Sequence, residues 1–432
     1  MEFYEHLKSY LSDEEIDKLK DSLSKNDKHA VLLNTRKMDE EKFLSLFPHV
    51  IKHPIVENAY LYDKDEYPLG KNLYHDLGCY YLQEPSAMLP SYLLHPQKGE
   101  TVLDLCAAPG GKSVQASFLM DNKGVIISND LARNRCSLIL ENVERLGIGN
   151  VIITNNDFAK IYKNYLNYFD RIILDVPCSG SGMFRKDDRM IDDWSYNKVI
   201  KFSEIQKELI LYAYNMLKEG GTMVYSTCSF SKEEDEDVIR FLLKQSDAEI
   251  LDLPKSEMFY INKNEPLGIH TLPYLFPGEG HYICLIKKPG ALKEEKSPNN
   301  FKKNIKYGYG IDDYFPHIYK FGDTLFGLQK ECKITGLNII RQGVKIGELG
   351  RDFLKYDYHF SHFIKDFTPT FLLQNTELVK YFSGEAINIK ASKGYVLLTY
   401  EKIPVDITKS DGNIIKNHLP KVLRKPVRNN HN

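Results

Sequence analysis

The chain has 432 residues, 42% hydrophobic and 27% charged, with 57 basic against 59 acidic side chains for a formal net charge of −2. These values exclude a collagen-like chain and a histone-like, globally cationic nucleic-acid binder, and argue against wholesale disorder; a local basic surface remains open. The length predicts two or three domains. The chain opens Met-Glu-Phe-Tyr-Glu-His, without a signal-peptide pattern, and its longest apolar runs, such as Val125-Ile126-Ile127, fall far short of the ~20 residues a bilayer span needs. A cytoplasmic protein without membrane contact is expected. Seven cysteines, at 79, 106, 136, 178, 228, 284 and 332, come no closer than 27 residues (79 to 106), so neither a zinc signature nor a disulfide framework is expected.

In chain order, Glu14 to Leu23 is predicted helical, with Ser12 and Glu15 as a capping box, and Ala30 to Leu33 as a short strand. The stretch Tyr60 to Asp76, rich in Tyr, Asp, Gly and Pro, is expected to be loop. From about residue 99 strands and helices alternate. Thr101–Leu105, Val125–Ser128, Val151–Thr154, Arg171–Leu174 and Thr222–Tyr225 are apolar strands. Helices are expected at Ser113–Met120, around Leu138, Ile139, Val143 and Leu146 up to Gly147, and from Ile205 to Leu217, where Gly220-Gly221 ends the last. Near-continuous apolar strands predict a parallel α/β sheet covered on both faces, with ligands bound beyond the carboxyl ends of the strands. A polar linker is predicted at 289–306. Short β-like segments such as Gly394–Tyr400 follow it, then a tail with Lys416, Lys421, Arg424, Lys425 and Arg428 and no acid from Asn413 onward.

Three unusual loops lie at strand ends. Asp104-Leu105-Cys106-Ala107-Ala108-Pro109-Gly110-Gly111-Lys112 follows the first strand, where small residues and two glycines admit a ligand close to the backbone ahead of a helix. A phosphate-binding loop needs Gly where Cys106 stands. Adenosylmethionine fits better: Asp130, twenty residues past Gly110, suits the ribose, and Asp157 suits the adenine amino group. Asp175-Val176-Pro177-Cys178-Ser179-Gly180 ends the fourth strand and offers a carboxylate, a stiffened turn and room for a flat base. Ser226-Thr227-Cys228-Ser229 ends the fifth. Beyond it, Ser231 and Glu234 read as a capping box, and the run Glu233 to Asp237 as a solvated helix face rather than a metal site.

Together these three motifs resemble the Nop/Sun family of RNA cytosine-5 methyltransferases. The resemblance extends to Tyr81-Leu82-Gln83-Glu84-Pro85-Ser86-Ala87 and to Gly278-Glu279-Gly280-His281. The tail Lys416-Asn417-His418-Leu419-Pro420-Lys421 is similar to the PUA-like part of the family's bacterial RsmF branch. Two positions depart from the family pattern: Ser181 replaces a usual Glu, and Asp235 a usual Asn. The resemblance implies a Rossmann-like methyltransferase domain at 76–288, a small α+β N-terminal RNA-binding region at 1–75, and a C-terminal PUA-like RNA-binding region at 307–432. It implies S-adenosylmethionine bound by Cys106, Ala107, Ala108, Pro109, Gly110, Gly111, Lys112, Asp130, Arg135, Asp157 and Asp175. Cys228 is implied as the nucleophile on cytosine carbon 6, Cys178 in product release, and Asp175 as partner of the ring N3. Lys112 is a candidate for stabilising charge. The implied partner is RNA, foremost ribosomal RNA or a ribosomal subunit, with a monomeric enzyme and no metal. A tRNA substrate, or a silent assembly factor, is the alternative.

Overall fold

The computed structural model describes residues 2–25, 29–186, 189–292 and 307–425. Helix α1 (Asp13–Leu23) carries the predicted capping box, with Ser12 Oγ accepting from Glu15 N. Strands β1 (His29–Leu33), β2 (Ala59–Tyr62) and β3 (Tyr80–Gln83) form an antiparallel N-terminal sheet with Ile51–Lys52 at its edge. The expected loop at 60–76 is therefore corrected. Ala59–Tyr62 is a fully buried strand, because Tyr60 and Tyr62 have apolar partners on the 31–33 face of β1, and Asn72 caps a short helix at Leu73–Asp76. Alternation along β1 serves two cores. Ala30 and Leu32 face the central domain, whereas Val31 and Leu33 face the C-terminal region.

The central sheet has β4 (Thr101–Asp104), α2 (Gly111–Leu119), β5 (Val125–Asn129), α3 (Arg133–Leu146), β6 (Val151–Thr154), β7 (Phe169–Asp175), α4 (Tyr196–Met216), β8 (Leu217–Thr227), α5 (Glu236–Gln245) and β9 (Tyr282–Lys287). Its path runs β9-β8-β7-β4-β5-β6. The pairings from β8 to β6 are parallel and β9 is antiparallel. One face packs against α2 and α3, the other against α4 and α5. The mixed α/β expectation holds, with two local corrections. Gly220-Gly221 does not end α4, because β8 starts at Leu217 and passes through both glycines, Gly220 at φ +77°. The C-terminal region also enters this sheet: β10 (Ile339–Gln342) pairs antiparallel with β6, and Leu328 and Cys332 join the core on the α4–α5 side.

Beyond β10, β11 (Gly394–Tyr400) and β12 (Ile403–Ser410) lead a further sheet packed on the N-terminal one. The end of the tail is tied down to residue 425. Leu419 is buried, and Lys425 ion-pairs with Asp76. Residues 293–306 of the expected linker, and Arg428, lie outside the described residues. Among those described, no helix is long and apolar enough to cross a membrane.

Candidate active site

Period-two alternation builds the site. On the α2–α3 side of the sheet, Val102, Ile126, Ile173, Val224 and Ile283 are core residues. Two positions on toward the loops, the same face carries Asp104, Ser128, Asp175, Ser226 and, by the antiparallel run of β9, His281. A polar cluster thus continues an apolar core without a break in register.

Asp175 is the hub. Lys112 Nζ donates to its Oδ2 at 2.7 Å and Ser226 Oγ to its Oδ1 at 2.6 Å. Burial works against the Asp175 charge, but the Lys112 ammonium and then His281 outweigh it and hold the carboxyl below its usual range. Lys112 likewise pays for burial and is raised above its ordinary value by Asp175.

The two loop cysteines meet. Cys178 Sγ lies 2.8 Å from Cys228 Sγ and 3.3 Å from Cys228 N. The hydrogen bond to Cys228, then burial, push the Cys178 thiol well up. Glu234 braces their loops, accepting from Ser179 N (2.8 Å), Ser229 Oγ (2.6 Å) and Gln206 Nε2 (3.0 Å), and from Ser179 Oγ. This replaces the expected capping box: α5 begins at Glu236, and Glu234 turns inward to the 178–180 loop. The solvated-face reading fails with it, since Glu234, Asp235 and Glu236 are at most 1% exposed. Asp235 Oδ1 accepts from Thr227 Oγ1 at 2.6 Å, and burial, then Glu236, push its carboxyl well up. A neutral acid there presents an amide-like group, which accounts for Asp in place of Asn. Asp235, Glu236 and His270 bring ligand atoms within 4.8 Å of one another, and His270 Nε2 lies 2.9 Å from Glu236 Oε1. Ser181, the other departure, is buried with its Oγ accepting from Phe230 N.

The 104–112 loop is held from outside. Gly110 has φ +105°, and a Cβ there would lie 3.3 Å from Ile139 Cα. Asp130 Oδ2 accepts from Ala108 N (3.2 Å) and Oδ1 from Ala132 N (2.9 Å), while Arg135 donates to Ala108 O (2.6 Å). Arg135 thus braces the loop. Asp104 Oδ2 accepts from Ser113 Oγ at 2.6 Å, its Oδ1 is buried without a partner among the described residues, and burial lifts its carboxyl to about 7. Asp157 is exposed and caps the helix Phe158–Asn164 through Ala159 N. Cys106 is half-buried beside these acids. A triphosphate is a poor match, because Lys112 is pinned to Asp175 and three carboxylates line the cleft. A small ligand bearing positive charge fits the donor set.

The sequence reading passed over Glu234, Ser226 and Asp104. Strand alternation was the available signal for the last two; Glu234 reaches across from another loop, and no local pattern reports that.

Three protein-family models match the chain: the N-terminal domain of 16S rRNA methyltransferase RsmF at residues 1–85, 16S rRNA methyltransferase RsmB/F at 91–287, and the methyltransferase RsmF PUA domain at 368–425. Ribosomal RNA small subunit methyltransferase F of Psychromonas ingrahamii is 30% identical, covering 92% of this chain and 91% of that protein. Its namesake from an Enterobacter species is 28% identical, over 92% and 89%. Among solved structures, a methyltransferase homolog protein from Pyrococcus horikoshii is 29% identical, with a TM-score of 0.59 over 66% of this chain and 93% of that one. NSun6 from the same organism, at 20% identity and a TM-score of 0.61 over 67% and 98%, shares the fold. The chain belongs to the RsmB/F family of 16S rRNA methyltransferases.

Proposed function

We propose that the chain methylates carbon 5 of a cytosine in small-subunit ribosomal RNA, with S-adenosylmethionine as donor and a covalent intermediate on Cys228. The observation that carries this reading is the meeting of Cys178 and Cys228 at 2.8 Å, beside the Lys112–Asp175 pair. Cytosine carbon 5 is a weak nucleophile until a thiolate adds at carbon 6. Cys228 makes that attack. Asp175 lies one strand away and engages the ring N3, where Lys112 offsets the charge that develops. S-adenosylmethionine, when bound, supplies the electrophilic methyl group. Asp130 holds its ribose, Asp104 and the 106–112 backbone hold its amino-acid part, and Asp157 the adenine. Cys178, a neutral thiol, donates to the Cys228 sulfur as it departs.

Lys416, Lys421 and Arg424 remain exposed on the PUA-like end and supply RNA backbone contacts.

The test uses the full chain, ribosomal RNA and adenosylmethionine on denaturing gels. Cys228→Ala should form no RNA adduct and transfer no methyl group. Cys178→Ala should accumulate an adduct only with the methyl donor, and the double variant should lose it. An adduct from Cys228→Ala with none from Cys178→Ala would reverse the two roles. Bisulfite mapping of small-subunit RNA from cells with and without the gene would locate the base.

A further inference from the structure

A methylated cytosine adduct must still lose its carbon 5 proton. The groups assigned so far are poor acceptors. Cys178 is held as a neutral thiol, Lys112 as an ammonium, and Asp175 is engaged by Lys112 and Ser226.

His281 lies on the same face. Tyr282 pairs with Thr227, so one step beyond that pair His281 stands opposite Cys228. The amide of Gly182 donates to Cys228 O at 2.7 Å, and a Cβ on Gly182 would lie 2.7 Å from Gly280 O, so the two chain segments run side by side. The strand order β9-β8-β7-β4-β5 puts the cofactor loops on one side of Cys228 and His281 on the other. A base seated on Cys228 therefore has its methyl donor on one flank and an imidazole on the other.

The imidazole is fixed by the Glu84–Ser86 pair. Ser86 Oγ donates to Glu84 Oε2 at 2.6 Å, and its lone pairs face Gly280 N at 3.2 Å and His281 Nδ1 at 3.0 Å. With the hydroxyl hydrogen spent on Glu84, Nδ1 is the donor to Ser86. In the neutral ring the basic lone pair is then on Nε2. Glu84 also accepts from Ser86 N, Ala87 N and Glu279 N, and its Oε2 lies 3.8 Å from Nδ1, near enough to stabilise an imidazolium.

We propose that His281 is the base that takes the carbon 5 proton, with Glu84 and Ser86 as its positioning residues. This rests on the covalent reading above. The carbon 5–hydrogen bond breaks and its electron pair becomes the carbon 5–carbon 6 double bond. The carbon 6–sulfur bond breaks onto Cys228, and the proton ends on His281 Nε2.

The experiment uses the full chain and ribosomal RNA carrying tritium at cytosine carbon 5. His281→Ala and His281→Gln should each incorporate about one methyl group per enzyme and trap it in a denaturant-stable complex. Tritium release should fall by roughly 10²–10⁴-fold, the usual worth of a general base. Added imidazole should restore release to His281→Ala. Gln keeps a donor for Ser86 but has no basic nitrogen, so it separates base catalysis from folding, and calorimetry with adenosylmethionine should give unchanged affinity. Cys178→Ala should trap a complex yet release more tritium than the His281 variants. Tritium release near the wild-type rate from His281→Gln, or methyl transfer lost without any trapped complex, would overturn the assignment. Methylation by the wild-type enzyme with no tritium release would instead overturn the carbon 5 reading itself.

Discussion

Two buried lysines at different junctions have opposite fates. Lys112, at the strand ends, meets Asp175 at 2.7 Å, and its affinity for a proton is raised despite burial. Lys37 lies where the N-terminal sheet, α3 and the C-terminal region meet. Its ammonium donates to Leu77 O (2.8 Å) and Arg145 O (2.9 Å) and lies 2.7 Å from His362 Nδ1. No carboxylate faces it among its contacts, and burial brings it down to about 7. Burial is common to both, so the partner decides the charge. Lys112 is a permanent cation beside the reacting base, whereas Lys37 is an interdomain tie that releases its proton near neutrality.

The sharpest break of this contrast is Asp175→Asn. It leaves the Lys112 charge buried and unpaired and should cost about 3–5 kcal/mol in urea unfolding, with methyl transfer lost. The acid limb of stability should change with it. The folded Asp175 carboxyl sits below its ordinary 3.8, so its contribution is complete above that value and disappears as pH falls through the folded value. A variant as stable as wild type would show that Lys112 finds another partner.

Lys37→Met probes the other side. Between pH 7 and 10.5 the unfolded chain keeps a proton that folded Lys37 has released, so stability rises with pH across that window. The variant should flatten this slope and lie roughly 1–3 kcal/mol below wild type at pH 9, where two buried carbonyls lose their donor. An unchanged slope in chemical unfolding would return the charge to Lys37.

Asp130→Ala tests whether the cofactor side of the site is separable from the Lys112 pair. Adenosylmethionine affinity should fall by about 1.5–3 kcal/mol, with the unfolding midpoint changed less than by Asp175→Asn. Calorimetry showing unchanged affinity would remove Asp130 from the ribose. The smallest effect belongs to a third lysine. Lys425 is 35% exposed and pairs with Asp76, so Lys425→Ala should cost no more than about 1 kcal/mol and leave the RNA affinity of Lys416 and Lys421 in filter binding nearly intact.

The order of strands, the helices between them and the loops that carry Cys106 to Lys112, Asp175, Cys178 and Cys228 were legible in the residues. Apolar periodicity and glycine placement are local, and both report backbone geometry within one element. The capping box at Ser12 was legible for the same reason. The identical pattern at Ser231 and Glu234 misled, because Glu234 finds stronger acceptor duty two loops away. The strand at Ala59–Tyr62, the entry of Ile339–Gln342 into the central sheet and the approach of His281 to the Ser86–Glu84 pair are products of tertiary structure alone. Each depends on a partner more than 20 residues distant, whose burial and hydrogen bonds outweigh the preference of the local segment. Residue order determined which chemistry the chain carries. Packing decided which of those groups keep their charge, because a charge inside a protein survives only where the fold brings an opposite one to it.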